Sequence, residues 1–528
     1  MLMKENWIRY MTNKSHLHYA VLNMGVSGGS AVLKIILGFI SRTIFIHVLG
    51  TEFLGLNGLL TSVLVTLSLA EMGVGNAIVY SLYHPISVGD WAVVKSIMRL
   101  YQTIYRILAG IVLVIGITLI PFLPIIAGKP IKNLTVYYCI LLFNSVVSYL
   151  LTYNRSLIIA NEQNYIVSTV DFLTYLATML LQITTLFLWK NYSVYLVLQV
   201  FFTVIGNVVL TIIVRRKYYW KFENIKSSKV PKDVIQKLKK NVIGTFANKV
   251  GDVAVNGTVN ILIAMFINLM TVGLYSNYQL VISSIQSVMF NIANAMTSTI
   301  GNIAAVNKDY ESRTKLFFKH QFMTYTMAFF ASAFILGSLP YFIKLWIGDK
   351  FVMPNYILII MVEIFVINSL RFTGLVFIDA YGLAYEQRIK PFLEAALNLS
   401  LSIIFLAFFK MGIEGILIAS ALTSFFVATT YEAYVVFRYG FRKSVYIFYK
   451  KYFKVILEIT INLIIVYFLT HTITIFHLND MELFILSIPL VFGVTSLSYY
   501  LFNFKRAEFK ELLGVLIRKI NGRDEHYN

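Results

Sequence analysis

The chain has 528 residues, of which 58% are hydrophobic, 15% are aromatic and only 13% are charged. A soluble protein would carry about twice that charged fraction. Runs of about 20 mostly apolar residues recur along the chain, which is typical of a polytopic α-helical membrane protein. The single cysteine excludes a disulfide framework within the chain. The eight histidines are scattered and do not have the spacing of metal ligands. The net charge of +20 comes from basic residues between the apolar runs, so we expect no nucleic-acid partner.

Fourteen membrane spans are predicted in chain order. They cover residues 18–48, 53–83, 97–126, 134–154, 165–188, 192–214, 241–267, 272–303, 316–345, 354–384, 388–409, 413–437, 453–475 and 482–504. The predicted fold class is therefore an all-α polytopic membrane protein with about fourteen transmembrane helices.

The positions of Lys and Arg predict how these spans are oriented. The side opposite the termini holds only Lys129, Lys132, Lys190, Lys344, Lys350 and Lys410. Most other basic residues fall on the side of the termini, and such an excess marks cytoplasmic loops. Both termini are therefore predicted to be cytoplasmic. The external loops are short, which argues against an enzyme with a catalytic external domain, and no catalytic residue is predicted.

A basic segment between the sixth and seventh spans divides the chain. The predicted domains are an N-terminal lobe at 1–214, a basic cytoplasmic linker at 215–240, a C-terminal lobe at 241–437, two extra spans at 438–505 and a basic cytoplasmic tail at 506–528. Thr51, Leu54, Asn57 and Leu60 recur with the same spacing as Thr271, Leu274, Asn277 and Leu280. This pattern indicates a duplicated six-span unit, and parallel repeats of that kind occur in transporters. The alternative is a general similarity among apolar helices.

Two basic residues interrupt the first span. On a helix, its small, polar and basic residues share one arc, and these are Ser27, Ser30, Lys34, Gly38, Ser41 and Arg42. Lys34 lies near the middle of the span, where inserting a cation costs about 2.5–3.5 kcal/mol. We therefore expect this face to line a watery cavity or to meet a buried anion.

Other spans carry similar polar stripes. One comprises Asn144, Ser148, Thr152 and Arg155, and another comprises Asp171, Thr174, Thr178, Gln182 and Thr185. Because Lys and Arg bind phosphate, the predicted substrate-binding residues are Lys34, Arg42, Lys249, Arg371 and Arg155. The candidate ion-coupling residues are Asp252, Asp171, Glu71 and Glu363, for a proton or sodium gradient. The alternative for each is an ion pair or hydrogen bond buried between helices. No cofactor is predicted.

Two regions of the sequence resemble the polysaccharide-transport family of the multidrug/oligosaccharidyl-lipid/polysaccharide exporter superfamily. They are NRSLIIANEQNYIV (154–167) and the region with RIKPFLEAALNL (388–399) and GIEG (412–415). The resemblance implies two pseudo-symmetric six-helix lobes around a central cavity, with two extra C-terminal helices. It also implies a flippase of the bacterial cytoplasmic membrane. Such a flippase moves an undecaprenyl-pyrophosphate-linked oligosaccharide to the external leaflet by alternating access.

Alternative functions remain open. A lipid II flippase of the same superfamily would share the fourteen spans. An ion-coupled multidrug antiporter would need a cavity rich in carboxylates for cationic substrates, and a polymerase or ligase would need a long external loop. The expected partners are a lipid-linked anionic oligosaccharide, membrane lipids and a polysaccharide polymerase.

Overall fold

In a computed structural model of the protein, the described residues are 2–67, 74–218, 257–306, 309–473 and 478–511, with isolated positions 222, 251, 253, 475 and 514. Three of the predicted site residues, Glu71, Lys249 and Asp252, lie outside these residues. The described part contains helices and connecting turns but no strand, which confirms the all-α fold class.

The chain divides into two compact units, Met1–Gly273 and Leu274–Asn528. The helices that begin in the first unit are α1 Leu2–Leu49, α2 Thr51–Leu67, α3 Val74–Ser87, α4 Trp91–Leu119, α5 Leu123–Ile126, α6 Leu134–Thr152, α7 Arg155–Ala160, α8 Asn164–Trp189, α9 Tyr192–Tyr218, α10 Thr258–Phe266 and α11 Leu269–Asn294. This division falls after the linker expected from the sequence, so the predicted domain boundaries stay a prediction.

The second unit takes in the remainder of α11. Its further helices are α12 Thr297–Val306, α13 Tyr310–Ile347, α14 Asn355–Ala380, α15 Lys390–Ala407, α16 Ile413–Thr423, α17 Thr430–Val435, α18 Tyr446–Ile473 and α19 Asp480–Asn503. Two π-helical segments, Ser424–Thr429 and Val436–Gly440, join α16 and α17 into one continuous helical segment, Ile413–Gly440.

Twelve helical segments of the described residues are long and apolar enough to cross a membrane. They correspond to twelve of the fourteen predicted spans. The predicted span 53–83 corresponds to α2 and α3, which flank residues outside the described part. Most of the predicted span 241–267 also lies outside it, and α10 covers its end.

Small residues allow close packing inside each unit. A Cβ atom on Gly55 would lie 1.8 Å from the Leu269 carbonyl oxygen, so α2 and the start of α11 touch through their backbones. In the second unit, a Cβ atom on Gly337 would lie 2.5 Å from Val491 Cγ2, which brings α13 against α19. Since apolar side chains gain little by leaving lipid, close packing of this kind holds membrane helices together.

Candidate functional site

A polar cavity of about 590 Å³ lies inside the first unit. Helices α1, α2 and α6 to α9 contribute its lining, which comprises Lys34, Asn57, Ser148, Thr152, Arg155, Asp171, Thr174, Tyr175, Thr178, Gln182, Tyr195, Gln199, Phe202, Thr203, Gly206 and Asn207. We call this space the polar cavity. Four of these helices, α1, α6, α8 and α9, include segments that are long and apolar enough to span a membrane.

Arg155 and Asp171 form the central ion pair of the polar cavity. The Arg155 Nη1 and Nη2 atoms donate to the two Asp171 carboxylate oxygens at 2.9 and 2.8 Å, and Nε donates to Asn207 Oδ1 at 3.2 Å. The side chains of Arg155 and Asp171 remain 26% and 29% exposed. The guanidinium is therefore held in a fixed orientation by two helices while it stays open to the cavity.

Lys34 supplies a second cation without a matching carboxylate. Its Nζ atom lies 5.8 Å from the centre of the Tyr175 ring, and the Tyr175 hydroxyl donates to the Lys34 carbonyl oxygen at 3.4 Å. Among the described residues, no carboxylate lies within salt-bridge distance of the Lys34 ammonium. With Arg155 neutralised by Asp171, the ionised groups of the lining leave one net positive charge.

Hydroxyl and amide groups cover much of the remaining wall. Thr174 donates to the Val170 carbonyl at 2.8 Å, Thr178 donates to the Thr174 carbonyl at 2.6 Å, and Gln182 Nε2 donates to the Tyr195 carbonyl at 2.8 Å. The two threonine bonds stay within α8 and the glutamine bond joins α8 to α9, while the side-chain oxygen atoms can still accept hydrogen bonds. A wall of this composition suits a ligand that carries many hydroxyl groups.

Two of the cavity's polar stripes were predicted from the sequence, and a third was missed. Ser148, Thr152 and Arg155 line the cavity, as do Asp171, Thr174, Thr178 and Gln182. The missed stripe lies on α9, where Tyr195, Gln199, Thr203 and Asn207 follow one another at intervals of four. That interval is the helical signal that would have revealed it.

The remaining predicted site residues do not line the polar cavity or lie outside the described part of the chain. Arg42 is on α1 but outside the cavity lining, and it interacts electrostatically with Tyr195. Arg371 is in the second unit. Glu363 is partly buried on α14, and none of the described residues forms an ion pair with it. Lys249, Asp252 and Glu71 lie outside the described residues.

Arg371 belongs to a buried group of four charges, which we call the ionic cluster. Its Nε and Nη2 atoms donate to Glu432 at 3.1 and 2.7 Å, and Lys390 Nζ donates to the same carboxylate at 2.7 Å. Glu394 lies 3.8 Å from Arg371 Nη1 and completes the ionic cluster. Two cations and two carboxylates therefore balance inside the second unit.

No group of three His, Cys, Asp or Glu side chains among the described residues could hold a metal ion.

The chain is similar to known proteins in sequence and in fold. The family described as "polysaccharide biosynthesis protein" matches residues 20–301. No curated protein matches the chain significantly in sequence.

Several solved structures of transporters share the fold. The lipid II flippase MurJ in an inward closed conformation is 14% identical with a TM-score of 0.59, over 92% of this chain and 99% of its own. An inward-facing MATE multidrug transporter of the MOP superfamily is 13% identical, with a TM-score of 0.59; the match covers 79% of this chain and 98% of the transporter. A point mutant of the Vibrio cholerae MATE transporter VcmN is 16% identical, with a TM-score of 0.55; the match covers 82% of this chain and 100% of VcmN. The fold is therefore that of the MOP transporters.

Proposed function

Because this chain belongs to the polysaccharide biosynthesis protein family, we propose that it is a flippase for an undecaprenyl-pyrophosphate-linked oligosaccharide repeat unit. It moves this unit from the cytoplasmic to the external leaflet of the bacterial cytoplasmic membrane by alternating access, for the synthesis of a surface polysaccharide. The observation that carries the proposal is the net positive charge of the polar cavity, which Lys34 supplies among hydroxyl and amide groups.

The pyrophosphate is the part of this substrate that the cations recognise. Lys34 acts as a point charge, and Arg155 offers the planar fork that fits two phosphate oxygens. A cation kept inside a membrane-spanning bundle costs about 2.5–3.5 kcal/mol, so its retention is best explained by an anionic ligand. The polyprenyl tail stays in the lipid, and the threonine, glutamine and asparagine side chains of the wall face the sugars.

Asp171 gives the site a means of release. In the described structure Asp171 occupies the guanidinium fork of Arg155 with both carboxylate oxygens. A pyrophosphate that enters the polar cavity competes with Asp171 for that fork. Uptake of a proton or a sodium ion by the displaced carboxylate would couple transport to an ion gradient.

Two other transport functions fit the same fold. A lipid II substrate also presents a pyrophosphate and sugars, and the fold shared with MurJ extends over 92% of this chain. An ion-coupled multidrug antiporter is less compatible, because organic cations are repelled by a cavity with net positive charge.

A polysaccharide polymerase is the expected partner on the external side.

The sidedness of the lipid-linked oligosaccharide pool tests the proposal. Cells that lack this protein should accumulate the oligosaccharide on the cytoplasmic leaflet, and wild-type protein should clear it. Lys34→Ala should fail to clear it at equal protein level, whereas Lys34→Arg should restore part of the transport because it keeps the charge. Lys190→Ala, which removes a lysine that does not line the polar cavity, is the matched control and should behave as wild type.

Accumulation on the external leaflet would point to a polymerase or ligase, and an unchanged pool would refute a glycan substrate. If lipid II accumulates on the cytoplasmic leaflet instead, the lipid II flippase is the correct function.

A further inference from the structure

A second, smaller cavity in the second unit has the features of an anion site. We call it the basic pocket. It has a volume of about 220 Å³ and is lined by Phe318, Gln321, Phe322, Tyr325, Lys451, Lys454, Val455, Arg506 and Glu508. Three of these side chains are cationic and one is anionic. A single water occupies about 30 Å³ in the liquid, so the basic pocket has room for a phosphate group and the atoms attached to it.

Arg506 is held in place by Glu458, which lies outside the lining of the basic pocket, and by Tyr325, which belongs to it. Its Nη2 atom donates to both Glu458 carboxylate oxygens at 2.6 Å, and its guanidinium lies 5.3 Å from the centre of the Tyr325 ring. Tyr325 donates to Glu458 at 3.1 Å and is itself held by Asn503 at 3.1 Å. Within the described part of the chain, Arg506 Nη1 and Nε donate no hydrogen bond. The guanidinium is therefore oriented while part of its fork is left for a ligand.

Gln321 provides an independent observation. Its side chain lines the basic pocket, the residue is only 4% exposed, and its Nε2 atom has no hydrogen-bond partner among the described residues. A buried donor that is left without a partner is unfavourable, because it has given up its hydrogen bonds to water. A ligand with acceptor oxygens would remove that cost.

The two lysines and the single carboxylate of the lining set the sign of the ligand. Lys451 lies 3.8 Å from the centre of the Phe318 ring and interacts electrostatically with Glu508. Lys454, one turn further along α18, lines the basic pocket and is exposed. Donors and positive charge therefore converge from α13, from α18 and from the segment after α19, and this arrangement suits an anion with several acceptor oxygens.

We propose that the basic pocket binds a phosphate group, which Arg506, Gln321, Lys451 and Lys454 hold by hydrogen bonds and charge. α18 begins and α19 ends close to it in sequence, which the predicted topology places on the cytoplasmic side. Basic pockets between helices on that side accept anionic lipid headgroups. The aromatic rings of Phe318 and Phe322 provide an apolar wall for the glycerol and upper acyl carbons. This site does not depend on the transport function proposed above.

Native mass spectrometry of the full-length purified protein tests the proposal. The protein is titrated with phosphatidylglycerol and separately with phosphatidylcholine, and binding should be selective for the anionic lipid. Lys454→Gln and Gln321→Leu should each weaken phosphatidylglycerol binding about tenfold, as expected for one lost hydrogen bond to a charged group. Lys450→Gln removes a charge one residue outside the lining and should change binding less than about twofold.

A competition experiment with inorganic phosphate distinguishes the two possible ligands, free phosphate and the phosphate of a lipid headgroup. If millimolar phosphate displaces the lipid from wild type but not after the Lys454 substitution, the basic pocket recognises phosphate itself. If phosphate has no effect while phosphatidylglycerol still depends on Lys454 and Gln321, the ligand is the lipid headgroup. Equal binding of both lipids, or equal phosphatidylglycerol binding by all variants, overturns the proposal. Lys454 is exposed, so its variant carries the test even if Gln321→Leu fails to fold.

Discussion

Each unit contains an arginine that donates to a carboxylate through two different guanidinium nitrogens. In the first unit Arg155 donates to Asp171 at 2.8 and 2.9 Å, and in the second Arg371 donates to Glu432 at 2.7 and 3.1 Å. The environments differ. Arg155 is 26% exposed in the polar cavity, whereas the side chains of Arg371 and Glu432 are 13% and 2% exposed.

The charge balance differs in the same way. The polar cavity contains two cations and one carboxylate, and the ionic cluster contains two cations and two carboxylates. A balanced, buried cluster is satisfied by its own members and has no need of a ligand. The polar cavity is accessible and has one more cation than carboxylates, so one positive charge has no carboxylate partner within its lining. On these two criteria, accessibility and charge balance, we propose a binding role for Arg155 and a structural role for Arg371.

The largest expected effect comes from breaking the ionic cluster. Glu432→Gln removes the carboxylate that Arg371 and Lys390 share, and it leaves two buried cations with Glu394 alone. Removing one partner of a buried pair costs about 3–5 kcal/mol. We expect most of the protein to unfold or aggregate, which size-exclusion chromatography after a heating series would measure.

Glu511→Gln is the control for that experiment. Glu511 pairs with Lys319 at 2.6 Å, but both side chains are largely exposed. Exposed pairs contribute little because water and salt screen them, so the midpoint of thermal unfolding should stay near that of wild type. An equal loss of stability in the two variants would mean that burial does not distinguish the ionic cluster.

The same conservative substitution in the two arginines gives the next largest effect. Arg371→Lys keeps the charge but loses the planar fork, and we expect a loss of about 2 kcal/mol because hydrogen bonds between charged buried groups are at stake. Arg155→Lys should cost below about 1 kcal/mol, since its pair is partly exposed. Denaturation midpoints in one detergent would compare the two. A larger loss for Arg155→Lys would reverse the assignment of structural and binding roles.

Asp171→Asn should have a smaller effect, and on binding more than on stability. It removes the one carboxylate of the polar cavity and frees part of the Arg155 fork, while Asn207 still holds Nε at 3.2 Å. We expect undecaprenyl pyrophosphate to bind about tenfold more tightly to the purified protein, because the anion no longer competes with a negative side chain.

Transport by Asp171→Asn should slow as release becomes harder. Glu482→Gln, in the capping box at the start of α19, changes a carboxylate far along the chain and is the control. Weaker pyrophosphate binding by Asp171→Asn would show that Asp171 supports the ligand site and does not compete for it.

The fold and a part of the site could be predicted from the sequence. The apolar runs determine the helices, and Lys34 stands out because a mid-span cation is costly. The polar face of α8 was visible in the spacing of Asp171, Thr174 and Thr178. The partner of Arg371 was not, because Glu432 lies 61 positions away and only packing between α14 and α17 brings the two together. For the same reason, sequence alone could not separate the ionic cluster from the polar cavity.

The smallest expected effect concerns the ring beside Lys34. Tyr175→Leu removes the aromatic face that lies 5.8 Å from the ammonium, and such contacts contribute about 0.5–1 kcal/mol when they are partly exposed. Without it the ammonium samples more orientations, so pyrophosphate binding should weaken about twofold to fivefold. Isothermal titration with undecaprenyl pyrophosphate would measure the change.

Tyr175→Phe is the matched control for the ring. It keeps the aromatic face and loses only a long hydrogen bond of 3.4 Å, so it should bind as wild type within error. If both variants lose the same affinity, the hydroxyl and not the ring positions Lys34. If neither variant loses affinity, Lys34 binds the anion without help from Tyr175, and α1 alone positions the Lys34 ammonium.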